Sequence, residues 1–216
     1  KTSRAQGCLL GQLAGDALGS LVEFQSPEEI RRSYPEGVRE LADGGTWNTI
    51  AGQPTDDSEM ALLLARMLTE RGDYDPNAAL QAYQFWLNSD PFDCGMTISA
   101  GLRGAPNPDS QANGAMMRIS PLGIFGANHP LETVDDWAKQ DAALTHPNQV
   151  CLQANTLFTM AIAHAIASGC EAEKLYQNIK RWAADLAVDP ALMDAIQGAA
   201  EAPPEDYVQQ QGWVLI

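Results

Sequence analysis

Almost nowhere does this chain alternate polar and apolar residues over the span that a strand needs; a short piece near Val38 to Leu41 is the one candidate. Helix-length apolar or amphipathic segments recur instead, cut by the turn signals Gly72-Asp73, Asp75-Pro76, Asp90-Pro91 and Asp189-Pro190. Proline in the first turn of a helix loses nothing, because the N–H it lacks would have no partner there, and a preceding Asp can cap the free amides. The pattern predicts helices over 4–22, 60–71, 77–87, 96–103, 131–144, 148–168, 171–186 and 190–200. With Ala- and Leu-rich content throughout, the expected fold class is all-α, one domain over 1–216 with no internal repeat.

The first helical segment carries Gly7, Gly11, Gly15 and Gly19 at intervals of four, one slowly drifting stripe on a helix. Glycine costs roughly 1 kcal/mol per interior helix position relative to Ala, so the stripe is expected to let another backbone pack closely. Long polar connections remain at Ser26 to Thr55 and Gly104 to Gly114, with a short link Thr145-His146-Pro147-Asn148. Long loops in a compact domain are where sites are sought.

The densest chemistry is Gln53-Pro54-Thr55-Asp56-Asp57-Ser58-Glu59, directly before the apolar run Met60 to Met67. Hydroxyls and carboxylates at one turn suit a hard cation such as Mg²⁺ or Mn²⁺. The same residues also fit a capping box, Asp56 with Glu59 three positions on, and both readings stand on the sequence.

A net charge of −15 argues against nucleic acid or an anionic membrane as partner, since both are bound mainly through Lys and Arg. An anionic small ligand then needs a local cation or backbone N–H groups. Cys8, Cys94, Cys151 and Cys170 show neither CxxC pairing nor zinc-site spacing, which suits a reducing cytoplasm. No charged-then-apolar leader opens the chain, and no uninterrupted apolar run approaches the roughly 20 residues that span a bilayer, so neither secretion nor membrane insertion is expected.

Polar clusters interrupt the apolar segments in order: Gly15-Asp16-Ala17-Leu18-Gly19, Glu23-Phe24, Thr55-Asp56-Asp57-Ser58, Asp93-Cys94-Gly95-Met96-Thr97, Asn113-Gly114-Ala115-Met116-Met117-Arg118 and Thr145-His146-Pro147. Together they resemble the ADP-ribosylglycohydrolase family, all-helical orthogonal domains that remove ADP-ribose from modified proteins with two Mg²⁺ or Mn²⁺ ions. The resemblance implies that Thr55, Asp56 and Asp57 are metal ligands, with Ser58 where a Thr usually stands. It makes Glu23 and Asp56 the catalytic candidates. Asp93, Gly95 and Thr97 would belong to a substrate-binding helix start, Asn113, Gly114, Ala115 and Met116 to a loop lining the ADP-ribose cleft, and His146 to the ligand's surroundings. The bland alternatives are a solvated loop carboxylate for Glu23, a plain turn for Asn113-Gly114 and a structural ion pair for Arg118. Asp16 is expected to orient neighbours or cap a turn, and His164 to be a satisfied core residue. The implied partner is an ADP-ribosylated protein or a small ADP-ribose-containing molecule.

Family members also carry a later Gly-Gly-Asp-Thr-Asp-Thr segment that completes the metal sites, and this sequence stops at Ile216 within an apolar run, Gly212 to Ile216. A truncated domain is therefore expected. The function that the resemblance implies is a metal-dependent hydrolase cleaving an N- or O-glycosidic bond of ADP-ribose attached to a protein side chain or small acceptor, or alternatively a truncated or degenerate non-catalytic module that binds ADP-ribose or a partner.

Overall fold

The computed structural model describes residues 1–201, 209–210 and 213–214. Its architecture is all-α: α1 (Thr2–Gly19), α2 (Pro27–Ser33), α3 (Asp56–Arg71), α4 (Pro76–Leu87), α5 (Met96–Leu102), α6 (Ser120–Gly126), α7 (Leu131–Ala143), α8 (Gln149–Ser168), α9 (Ala172–Asp185) and α10 (Pro190–Gly198). The one ladder among the described residues pairs Gln209–Gln210 with Trp213–Val214; the rest of the terminal apolar run lies outside them.

The punctuation works as the residue types dictate. Asp75 caps α4 by accepting from the amides of Asn77 and Ala78, with Pro76 in the first turn, and Asp189 caps α10 in the same way through Ala191. Gly72 and Gly169 end α3 and α8 in the left-handed conformation at φ 67°, a region costly for any residue with a Cβ. Ser26 and Glu29 form a reciprocal capping box that starts α2 inside what the sequence suggested was a continuous loop. Residues 38–41 are not a strand; an isolated bridge from Gly44 to Thr49 is the local pairing.

Two apolar clusters hold the helices together. One is built on Met60, Leu64, Tyr83, Ile98, Ile119 and Leu122 from α3 to α6, the other on Val134, Ala154, Leu157, Trp182 and Leu192 from α7 to α10. Helix α8 has the length and hydropathy of a membrane-crossing helix, yet 61% of that window is buried inside the protein, where α8 packs on α6, α7 and α9. It is the central core helix.

The glycine stripe of α1 does not pack as expected: a Cβ on Gly7, Gly11, Gly15 or Gly19 would meet nothing within 4 Å. Close approach occurs elsewhere, at Gly101, where a Cβ would lie 2.6 Å from Cα of Thr145. Opposite outcomes follow for the same substitution. Gly101→Ala must push α5 off the Thr145 backbone and is expected to cost about 1–3 kcal/mol. Gly11→Ala is expected to stabilise by about 0.4–1 kcal/mol through lower entropy of the unfolded chain. Urea denaturation of both variants checks the pair, and a destabilised Gly11→Ala would mean that the stripe is covered.

Candidate active site

Helix α3 begins without a local cap. Thr55 is extended at φ −103° and ψ −161°, and its side chain makes no capping bond. The first turn is secured from α1 instead: the Asp16 carboxylate accepts from the Thr55 amide (3.1 Å), the Thr55 hydroxyl (2.8 Å) and the Ser58 amide (3.1 Å). The local capping box is thereby overturned, since Glu59 accepts from the Trp86 indole at 2.7 Å. Asp56 and Asp57, released from capping, line a cleft of about 220 Å³.

Glu23 and Asp93 face the same cleft. Burial, then Asp93, pushes the Asp56 carboxyl up to about 7, and burial, then Asp56 and Asp16, does the same to Asp57. Asp93 rises to about 6 through burial and Glu23, and Glu23 is raised mainly by burial. None of the residues lining the cleft is Lys or Arg. Adjacent acids in that state attract any divalent cation, and the oxygens of Thr55, Asp56 and Asp57 are the hard donors Mg²⁺ and Mn²⁺ prefer. Among the described residues no three His, Cys, Asp or Glu side chains are grouped to hold an ion by themselves.

Glu23 is positioned by the loop before α3. Trp47 donates its indole N–H to the Glu23 carboxylate at 2.7 Å, and Phe24 beside it is held at φ 61°, a sparsely populated conformation for an aromatic residue. The Trp47 ring meets Phe24 and Phe92 edge-on at 6.0 and 5.8 Å. An aromatic rim thus borders the acidic end of the cleft.

Small residues form the opposite wall. Gly95 caps α5 and gives its amide to Asp56 at 3.4 Å, and Thr97 shares a hydrogen bond with Ser110 at 3.0 Å. Gly114 is more than a turn residue: a Cβ there would lie 2.9 Å from Ile98 and 3.1 Å from the His146 ring. Nine predicted residues are brought together on the cleft, namely Glu23, Asp56, Asp57, Asp93, Gly95, Thr97, Asn113, Gly114 and His146. Thr55 lines an adjoining recess with Asp16. Ala115 is buried, and Met116 lines a neighbouring groove with Cys8 and Phe158 that shares Asp57, Asn113 and Met117 with the cleft. Trp47 and Gln12, whose amide donates to the carbonyls of Asp57 and Met117, went unrecognised because their partners are distant in sequence.

Behind His146 lies a fully buried polar network. Arg118 donates to the Asp141 carboxylate (3.0 Å), the Asp141 carbonyl (2.9 Å) and the Thr145 hydroxyl (2.9 Å), and its guanidinium sits 4.5 Å over the Tyr83 ring. Tyr83 and Tyr74 donate their hydroxyls to the other Asp141 oxygen at 2.9 and 3.3 Å. The ion-pair reading of Arg118 is the correct one. His164 meets Asn178 and the Trp182 ring, as a satisfied histidine should.

The family model for ADP-ribosylglycohydrolases matches residues 1–216. The chain is 37% identical to the ADP-ribosyl-[dinitrogen reductase] glycohydrolase of Rhodospirillum rubrum, across 66% of this chain and 51% of that protein. It is 27% identical to the ADP-ribosylarginine hydrolase Tri1 of Pseudomonas putida, across 98% of this chain and 58% of the relative. A solved structure titled an ADP-ribosylglycohydrolase-related protein complex superposes with a TM-score of 0.79 at 28% identity, covering 97% of this chain and 71% of its own. The chain spans about half the length of these curated relatives.

Proposed function

Because this chain belongs to the ADP-ribosylglycohydrolase family, we propose that it is a metal-dependent hydrolase that releases ADP-ribose from a modified protein side chain. The observation that carries the reading is the set of four carboxylates, Glu23, Asp56, Asp57 and Asp93, on one cleft with no Lys or Arg to balance them. Thr55, Asp56 and Asp57 would hold Mg²⁺ or Mn²⁺, two ions in the complete site. Such ions, when bound, supply Lewis acidity toward a water and orientation of the ribose hydroxyls.

The protein's own part is electrostatic and acid–base. Water attacks C1″ of the ribose as the bond to the acceptor breaks, and positive charge develops on the ribose ring. Glu23 and Asp56 face that charge, and Asp56 takes the proton that the water releases and passes it to the departing acceptor, so no further proton source is needed. Trp47 keeps the Glu23 carboxylate in place. Gly95 and Thr97 with Asn113 and Gly114 form the wall for the diphosphate and adenosine.

For the acceptor, arginine fits best. A guanidinium is flat and cationic, and the rim of Phe24, Trp47 and Phe92 beside Glu23 offers it ring faces and a counter-charge. The relative from Pseudomonas putida is named for ADP-ribosylarginine. Four free cysteines accord with a cytoplasmic setting.

The test presents peptides carrying ADP-ribose on arginine or on serine, with Mg²⁺, Mn²⁺ or a chelator, and follows free ADP-ribose by chromatography. Metal-dependent release from the arginine peptide is expected. Binding of the peptides without release would replace the hydrolase by an ADP-ribose-binding module, and faster release from serine would overturn the acceptor assignment.

A further inference from the structure

His146 is wholly buried, and its Nε2 has no hydrogen-bond partner among the described residues, yet the ring lines the cleft. Its other nitrogen, Nδ1, lies 2.8 Å from the Thr145 hydroxyl. The direction of that bond decides what Nε2 offers to a ligand. A neutral imidazole carries one N–H and one bare nitrogen, and the bond made by one fixes the state of the other.

The buried network settles the direction. Arg118 can only donate, so the Thr145 oxygen at 2.9 Å from it is an acceptor toward that side. The hydroxyl's single proton then has Nδ1 as its one acceptor within hydrogen-bond distance among the described residues. Were Nδ1 the donor, that proton would be buried unpaired on Thr145, which does not line the cleft, at a cost of roughly 1–3 kcal/mol. The Nε2–H of the other tautomer is unpaired only until an acceptor enters the cleft that the ring lines. The adjacent guanidinium also polarises the hydroxyl toward donation. Asp141, braced by Tyr74 and Tyr83, holds the guanidinium.

We propose that Asp141, Arg118 and Thr145 are positioning residues that lock His146 as the neutral Nε2–H tautomer, so that the cleft receives a fixed hydrogen-bond donor and not a base. The proposal rests on the ADP-ribose reading only for the identity of the acceptor, an oxygen of the bound ADP-ribosyl group. Burial and the Arg118 charge hold the His146 pKa down at about 4, which keeps the ring uncharged at neutral pH. A neutral donor suits an acidic cleft, where a histidine base would compete with Asp56 for the same proton.

The tautomer is read directly from the ring ¹⁵N–¹H correlation spectrum of the ligand-free protein at pH 7, with His146→Gln assigning the signal among three histidines. Wild type and Thr145→Ser are expected to show Nε2–H alone. Thr145→Val is expected to show Nδ1–H or a mixture, and to bind free ADP-ribose in Mg²⁺ buffer roughly tenfold more weakly, the worth of one hydrogen bond. Nδ1–H in the wild type would overturn the proposal, as would an unchanged tautomer in Thr145→Val. If neither protein binds ADP-ribose, the ligand reading fails while the spectrum still decides the tautomer.

Discussion

Arg118→Met is expected to destabilise the protein by about 3–5 kcal/mol, the loss seen when one partner of a buried ion pair is removed. Both Arg118 and Asp141 are 0% exposed, and the guanidinium makes two of the hydrogen bonds that reach Asp141. Methionine fills much of the space but leaves a carboxylate in the core with only the Tyr74 and Tyr83 hydroxyls, and it withdraws the donor to Thr145. The cost therefore lies in the orphaned charge more than in the lost attraction. Asp141→Leu added to Arg118→Met is expected to recover part of the loss. Guanidinium denaturation of the two variants provides the measurement, and a single-variant cost under about 1 kcal/mol would show that water or a shifted side chain already serves Asp141.

Asp57→Asn is expected to remove activity by at least roughly 100-fold while making the metal-free protein more stable at pH 8. The sign follows from the raised carboxyl. Its folded value near 7 lies above the ordinary 3.8, so the native state binds a proton more tightly than the unfolded chain. Stability in the absence of metal then rises as pH falls from above 7 toward 4, and is lowest in alkali, where Asp56 and Asp57 are both charged. Asparagine removes one of those charges, a gain on the order of 1 kcal/mol at pH 8. Melting curves at pH 8 and pH 5 with chelator should show wild type gaining on acidification more than Asp57→Asn. Added Mg²⁺ should raise the wild-type midpoint at pH 8 and leave the variant's unmoved. A variant that hydrolyses at the wild-type rate would sink the role assigned to Asp57.

What could be read before folding was whatever the chain writes locally. The Asp-Pro pairs before α4 and α10 and the glycines after α3 and α8 set helix ends to within a residue or two, because capping is a matter of a few neighbouring atoms. The seven-residue α6 escaped notice because Ser120-Pro121-Leu122-Gly123-Ile124-Phe125-Gly126 is poor in helix formers; Gly123 and Gly126 are there because Ile162 and Val134 pack against them. The cap at Asp56 and Glu59 was misleading for the opposite reason. A correct local pattern was overridden by Asp16 and Trp86, partners that no short window contains. Nine site residues were recognisable as motifs, yet motifs say nothing about the unpartnered Nε2 of His146, which exists only once Thr145, Arg118 and Asp141 have converged.

The clamp of α1 on α3 has a consequence for the order in which the molecule can assemble. Asp16 reaches across 39 residues to Thr55 and 42 to Ser58, and Gly95 reaches back 39 to Asp56. Contacts so far apart along the chain close late, after the locally capped helices have formed, because loop-closure entropy must be overcome before they contribute. A half-folded or nascent chain can hold the locally capped α4 as a helix while its two central acids remain scattered and weakly perturbed. The acids of the cleft thus come together only with the juncture of α1, α3 and α5, and the titration of Asp56 and Asp57 would serve as a clock for that step.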